Sequence, residues 1–241
     1  MAQTIFLAGA SGAIGRRLAP ILVADGWRVI GSTRTAEKVA LLSQLGVTPV
    51  VVDVFDSPRL SRAIADARPD VVMHQLTDLP SGLDPSRMEE ATRRNARIRD
   101  EGTRNLLSAA ITAGVRRFVA QSIAFAYADG PLPHGEQDKL AVDAEGRAGI
   151  SARGVATLER QVLDAPIEGL VLRYGRLYGP GTGFEAAAGR SPVHVDAAAR
   201  AAALATTQGE RGVYNIAEDD GTVSSGKAKR QLAWSADWRC N

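Results

Sequence analysis

The sequence predicts an α/β fold, a Rossmann-type doubly wound parallel sheet with a small, shortened C-terminal substrate lobe. Short runs rich in β-branched residues alternate with helix-periodic stretches through residues 4–174. Several runs are apolar without alternation, as in Pro49-Val50-Val51-Val52 and Val71-Val72-Met73, the pattern of strands covered by helices on both faces. The first run also opens into a glycine-rich turn, Gly9-Ala10-Ser11-Gly12-Ala13-Ile14-Gly15, immediately ahead of a helical pattern.

In chain order, strands are expected at 4–8, 28–33, 48–52, 70–75, 117–121 and 169–174. Ile14, Leu18, Ile21 and Leu22 mark the first helix. Val39, Leu42 and Leu45 mark the second, which Gly46 stops. Ser57-Pro58 reads as a serine N-cap followed by proline at the first helical position. The fourth connection, 85–114, is the longest and helical; the fifth runs through a Pro/Gly/Asp-rich loop, 128–149, into a helix at 151–164. Beyond Tyr174 come closely spaced glycines (175, 179, 181 and 183), an alanine-rich helix from 195 to about 207 and a short strand at 212–216.

Composition narrows the function classes. Of 241 residues, 45% are hydrophobic and 23% charged, and no stretch reaches the roughly 18 apolar residues of a membrane span. Met1 leads straight into a strand without the pattern of a secretion signal, so a cytoplasmic protein is expected. A lone cysteine, Cys240, and three scattered histidines, His74, His134 and His194, give no expectation of a metal site. The net charge is +2, and the densest basic stretch, 87–104, alternates with Glu89, Glu90, Asp100 and Glu101, as on a solvated helix face. A small-molecule substrate is expected, with no nucleic acid and no membrane.

Gly9, Gly12 and Gly15 stand where a strand-to-helix turn brings backbone amides and a helix N-terminus against a pyrophosphate. Their spacing, G-x-x-G-x-x-G, departs from the common G-x-G-x-x-G, so the weight rests on their place between strand and helix. No Gly-Lys-Ser/Thr closes the turn, which argues against a nucleoside triphosphate. The second strand ends Gly31-Ser32-Thr33-Arg34 with no Asp or Glu, whereas recognition of a free ribose 2′-hydroxyl uses an acid there. Arginine suits a 2′-phosphate, so NADP(H) is favoured over NAD(H). The chain then divides into an NAD(P)-binding domain, 1–174, and a reduced C-terminal substrate-binding segment, 175–241, part of which can return to the sheet.

Together with Val52-Asp53-Val54, Val71-Val72-Met73-His74-Gln75, Asn95, Gly102-Thr103-Arg104-Asn105-Leu106-Leu107, Ser122 and Leu172-Arg173-Tyr174-Gly175-Arg176, the turn resembles the extended or atypical branch of the short-chain dehydrogenase/reductase superfamily, the NAD(P)-dependent epimerase/dehydratase family. The resemblance covers most of the chain. It implies cofactor contacts from Gly9, Ser11, Gly12, Ala13, Ile14, Gly15, Arg34, Asp53, Val54, Gln75, Leu76, Thr77 and Tyr174. It further implies a serine, Ser122, that polarises a reacting carbonyl, and a homodimer formed through 85–114 and 151–164.

The family's Tyr-x-x-x-Lys pair is missing: four residues beyond Tyr127, Tyr174, Tyr178 and Tyr214 stand Pro131, Tyr178, Thr182 and Glu218. Alignment with the family helix puts Ser151 and Val155 at the two positions. Either Tyr127 or water becomes the substitute acid, and Ser122 with Tyr127 is the expected catalytic pair. The expected function is an NADP(H)-binding oxidoreductase or epimerase-like enzyme acting on a small carbonyl or hydroxyl compound; the alternative is a non-catalytic NADP(H)-binding sensor or regulatory protein. Against the family, the chain is shortened around 184–191 and 223–227.

Overall fold

A computed structural model describes residues 3–80 and 84–240. Nine strands are present among them: β1 (Thr4–Ala8), β2 (Arg28–Thr33), β3 (Thr48–Val51), β4 (Val71–His74), β5 (Arg117–Ile123), β6 (Glu168–Tyr174), β7 (Arg176–Tyr178), β8 (Pro192–His194) and β9 (Gly212–Ile216). Seven form one sheet, parallel throughout, in the order β3-β2-β1-β4-β5-β6-β9. β7 and β8 pair parallel in a separate ribbon.

The helices are α1 (Ala13–Ala24), α2 (Val39–Gln44), α3 (Ser57–Ala67), α4 (Met88–Arg97), α5 (Thr103–Thr112), α6 (Gly146–Asp164), α7 (Val195–Leu204) and α8 (Gly226–Gln231). The uninterrupted apolar strands follow from burial on both faces. Ile5 and Leu7 point into a core with Leu18 and Leu22 of α1 and Ala198 of α7. Phe6 and Ala8 point into the opposite core, with Leu60 of α3, Leu106 of α5 and Leu158 of α6. Alternate side chains of one strand thus serve two layers. The alanines of α7 are buried, which lets it lie close against α1.

Several local expectations need correction. Asp56, not Ser57, caps α3: its carboxylate accepts from the Arg59 amide at 3.2 Å, and Ser57 is already helical. The shorter serine is displaced by an acid one residue earlier that reaches the same free amides. The long fourth connection is two helices joined by a π-helical turn, Ile98–Gly102. α6 begins at Gly146 rather than 151. β7 and β8 were not anticipated, because three-residue strands show no periodicity.

Candidate active site

The strand order reverses between β1 and β4, so their outgoing connections diverge and leave a crevice at the carboxyl edge. Gly9 leaves β1 at φ 91°, a left-handed conformation, and a Cβ there would stand 2.4 Å from the Gln75 carbonyl oxygen. A Cβ on Gly15 would stand 2.2 Å from the Gly9 carbonyl oxygen. Gly12 precedes α1 as its N-cap with no side-chain cap bond, and the helix's first internal bond joins the Arg16 amide to the Gly12 carbonyl at 3.0 Å. The amides of Ala13, Ile14 and Gly15 come before that bond, where a helix has no internal acceptors for them. The turn is therefore a cradle of backbone donors that side chains would fill.

The cleft above it is lined by Gly9, Ser11 and Gly12, by Ser32, Thr33, Arg34, Thr35 and Lys38 from the exit of β2, and by Val54, Phe55, Gln75, Leu76 and Thr77; Ile98 and Leu106 close its wall. Most of the expected cofactor residues thus converge. Ala13, Ile14, Gly15, Asp53 and Tyr174 do not line it. The Ile14 side chain is in the core, Gly15 is a spacer, and Asp53 is exposed, its carboxylate accepting from the Phe55 amide at 2.9 Å. Tyr174 is buried, which pushes its pKa up, with the Gln75 amide opposing. Neither the Tyr174 hydroxyl nor the Gln75 amide forms a well-made hydrogen bond among the described residues. An unpartnered buried amide beside a glycine cradle fits a polar dinucleotide.

Lys38 escaped the sequence reading. It lies four residues past Arg34, and a single turn of 3-10 helix, Ala36–Lys38, folds it back to the cleft. Arg34 is half-exposed and donates to Asp78 at 3.2 Å; Asp78 also receives Arg94 at 3.0 Å. Asn95 fixes that segment, accepting from the Asp78 amide at 3.0 Å and donating to the Asp78 and Ala91 carbonyls.

Beneath the carboxyl ends of β5 and β6 the two catalytic candidates fall in one network. Ser122, buried, donates to Glu159 at 2.9 Å. Both oxygens of Glu159 accept from Arg173, at 2.8 and 2.6 Å. Arg173 donates to the Tyr127 hydroxyl at 2.7 Å, and that hydroxyl donates to Asn215 at 2.7 Å. Burial pushes the Tyr127 pKa up, with Arg173 opposing. The Tyr127 ring stacks on His134 at 4.8 Å between centroids. Val155 is fully buried beside Ala126 and Ala152. His74 is buried, accepts from the Leu76 amide at 3.3 Å and meets the Thr103 hydroxyl at 3.1 Å; burial, then the charge of Arg99, pushes its pKa down to about 4. Its imidazole is neutral near pH 7.

Among the described residues, no group of three or more His, Cys, Asp or Glu is placed to hold a metal, and no helix is long and apolar enough to cross a membrane.

Comparison with known proteins agrees with this geometry. The NAD(P)H-binding family pattern matches residues 9–149. A 3-diazoavenalumate denitrifying reductase from a Streptomyces species is 39% identical over 237 residues, spanning 90% of this chain and 76% of the relative. Among solved structures, the UDP-glucose 4-epimerase of Thermotoga maritima with UDP-glucose matches with a TM-score of 0.78 at 21% identity, over 98% of this chain and 94% of that one. The Bordetella bronchiseptica enzyme WbmH in complex with NAD+ matches with a TM-score of 0.72 at 22% identity, over 92% and 77%. At those identities the structural likeness establishes a shared fold.

Proposed function

The chain belongs to the NAD(P)H-binding family, and from that membership we propose an NADP(H)-dependent reductase of the short-chain dehydrogenase/reductase type whose substrate needs no proton from a tyrosine–lysine pair. The observation that carries the cofactor choice is the exit of β2, where Arg34 and Lys38 both line the cleft. Two cations there suit the doubly charged 2′-phosphate that distinguishes NADPH from NADH. The backbone of the turn Gly9 to Gly15 is assigned to the pyrophosphate, and Val54, Gln75, Leu76 and Thr77, which line the cleft, to the adenosine half.

NADPH, when bound, supplies a hydride equivalent. Reduction of a ketone leaves an alkoxide that must be protonated, the task for which an acidic tyrosine beside a lysine is suited. By the sequence alignment Val155 takes the place of that lysine; the Ser122 proton is directed to Glu159, and the Tyr127 hydroxyl is held between Arg173 and Asn215. The Streptomyces relative is named for reducing a diazo compound with loss of nitrogen. Replacing a diazonium group by hydrogen forms one C–H bond, breaks one C–N bond, releases N2, takes up a hydride equivalent and asks no proton of the protein. A substrate of that class fits the residues better than a simple ketone. Ser122 and Tyr127 then orient the substrate, and neither is its acid.

The test compares NADPH and NADH affinity, then follows the near-ultraviolet absorbance of NADPH with an aryl diazonium and with a panel of aldehydes and ketones, each corrected for the uncatalysed reaction. Tighter binding of NADPH and its consumption with the diazonium are expected. Equal affinities would overturn the cofactor assignment, and turnover of ketones alone would overturn the substrate class. Binding of NADPH and NADP+ without consumption on any substrate would favour the sensor reading, whose support is the same lack of a free acid.

A further inference from the structure

The π-helical turn Ile98–Gly102 joins α4 to α5 in the wall of the cofactor cleft, which Ile98 lines. Such single-turn insertions recur at functional sites, because they re-aim a side chain that a regular helix would carry elsewhere. The residue after Ile98 is Arg99. It reaches α6, where Nη1 donates to the Ser151 hydroxyl at 3.0 Å and to the Ser151 carbonyl at 3.4 Å. Ser151 occupies the place aligned with the family tyrosine. A cation therefore does arrive at this point, from a different helix than the one that carries the family lysine.

The surroundings leave that cation unneutralised. Among the described residues no carboxylate lies within ion-pair distance of Arg99, and its Nε and Nη2 have no hydrogen-bond partner. Glu159, whose charge it feels, is already engaged by two nitrogens of Arg173 and by Ser122. His74 is neutral and supplies no negative charge. Burial acts against the guanidinium strongly enough to push its pKa down to about 10. Arg99 is half-buried, and its two unpartnered nitrogens are not sealed off from solvent, so an arriving anion can reach donors that the protein leaves unused.

We propose that Arg99 and Ser151 form the anion-binding end of the substrate site, receiving a negatively charged oxygen of the substrate, a carboxylate or a phenolate. This rests on the reductase reading in one respect, that the substrate enters beside the cofactor cleft. The guanidinium offers two N–H groups from different nitrogens, a match to a planar oxyanion, and the serine hydroxyl, accepting from Arg99, keeps its own proton to donate. A planar oxyanion on the Nε–Nη2 edge meets two N–H donors, and the serine hydroxyl fixes the guanidinium from the opposite side, without any residue having to ionise.

The test is calorimetric titration of the NADP+-loaded protein with benzoate, 4-nitrophenolate and neutral benzamide. At least one anion is expected to bind, with affinity lowered by about tenfold or more in Arg99→Met, partly retained in Arg99→Lys and lowered less in Ser151→Ala. Benzamide should respond to none of these changes. NADPH affinity and thermal stability, measured on each variant, separate loss of a contact from loss of the fold. The proposal is overturned if the wild type binds neither anion, or if folded Arg99→Met binds both as the wild type does. It is also overturned if benzamide and the anions weaken together. If NADPH itself fails to bind, the reductase reading falls, and the same titrations on the cofactor-free protein still decide the role of Arg99.

Discussion

A single methyl group at Gly15 would stand 2.2 Å from the Gly9 carbonyl oxygen and 2.6 Å from that of Ala10, closer than nonbonded atoms approach. Gly15→Ala must therefore open the turn that presents the amides of α1. Expected are NADPH binding weakened by at least about tenfold and a stability loss of about 1–3 kcal/mol, read from fluorescence titration and urea unfolding. His74 gives a second residue-scale test, through pH. Its ordinary pKa of 6.5 falls to about 4 in the folded chain, so between those values the unfolded state takes a proton that the native state refuses. Stability contributed by this site is thus unaffected above pH 6.5, declines as pH falls toward 4 and then levels, with a total loss of about 3 kcal/mol. His74→Gln, which keeps a hydrogen-bonding side chain and cannot titrate in this range, should flatten that part of the stability–pH curve. The glycines were legible in the sequence because they stand between a strand pattern and a helix pattern that are both local. Lys38 and Arg99 were not: the first depends on a single tight turn, and the second acts on a serine 52 residues away in the chain.

Between elements, α6 is tied to β6 by the pair Glu159–Arg173, whose side chains are only 7% and 4% exposed. Ser122 at the end of β5 joins through Glu159, and Tyr127 in the following loop joins through Arg173. Replacing one partner strands a buried charge, whereas replacing both removes the need for pairing. Glu159→Leu should cost about 3–5 kcal/mol in chemical denaturation, and the double variant Glu159→Leu/Arg173→Met considerably less than the sum of the single changes. If the double variant loses as much as that sum, the pair is not a unit and Ser122 and Tyr127 are held separately. The strands themselves were readable because burial on both faces forces apolar runs. The π-helical turn was hidden, since residues 98–102 keep a helical composition and only the way the chain winds sets them apart.

Across the whole molecule, the cleft draws its walls from five separate parts of the chain: the turn after β1, the exit of β2, Val54 and Phe55 beyond β3, the segment after β4, and Ile98 with Leu106 from the π-helical turn and α5. A dinucleotide seated there would contact parts of the sheet on both sides of the reversal, so its binding free energy would add to the stability of the folded domain as a whole. For a ligand that binds only the native state, free ligand at 100 times its dissociation constant raises stability by about 2.7 kcal/mol. The melting temperature should therefore climb with NADPH concentration, and at equal concentrations climb further with NADPH than with NADH. The difference between the two curves isolates the 2′-phosphate, since everything else in the two molecules is shared. Arg34→Ala combined with Lys38→Ala should bring the NADPH curve down to the NADH curve while leaving the latter nearly in place. Removing Arg34 also frees Asp78, which keeps Arg94 as a partner, so the segment after β4 is not left with an unpaired charge. If the double variant lowers both curves equally, the two cations serve the adenosine or the pyrophosphate, and the preference for NADPH must come from elsewhere in the cleft.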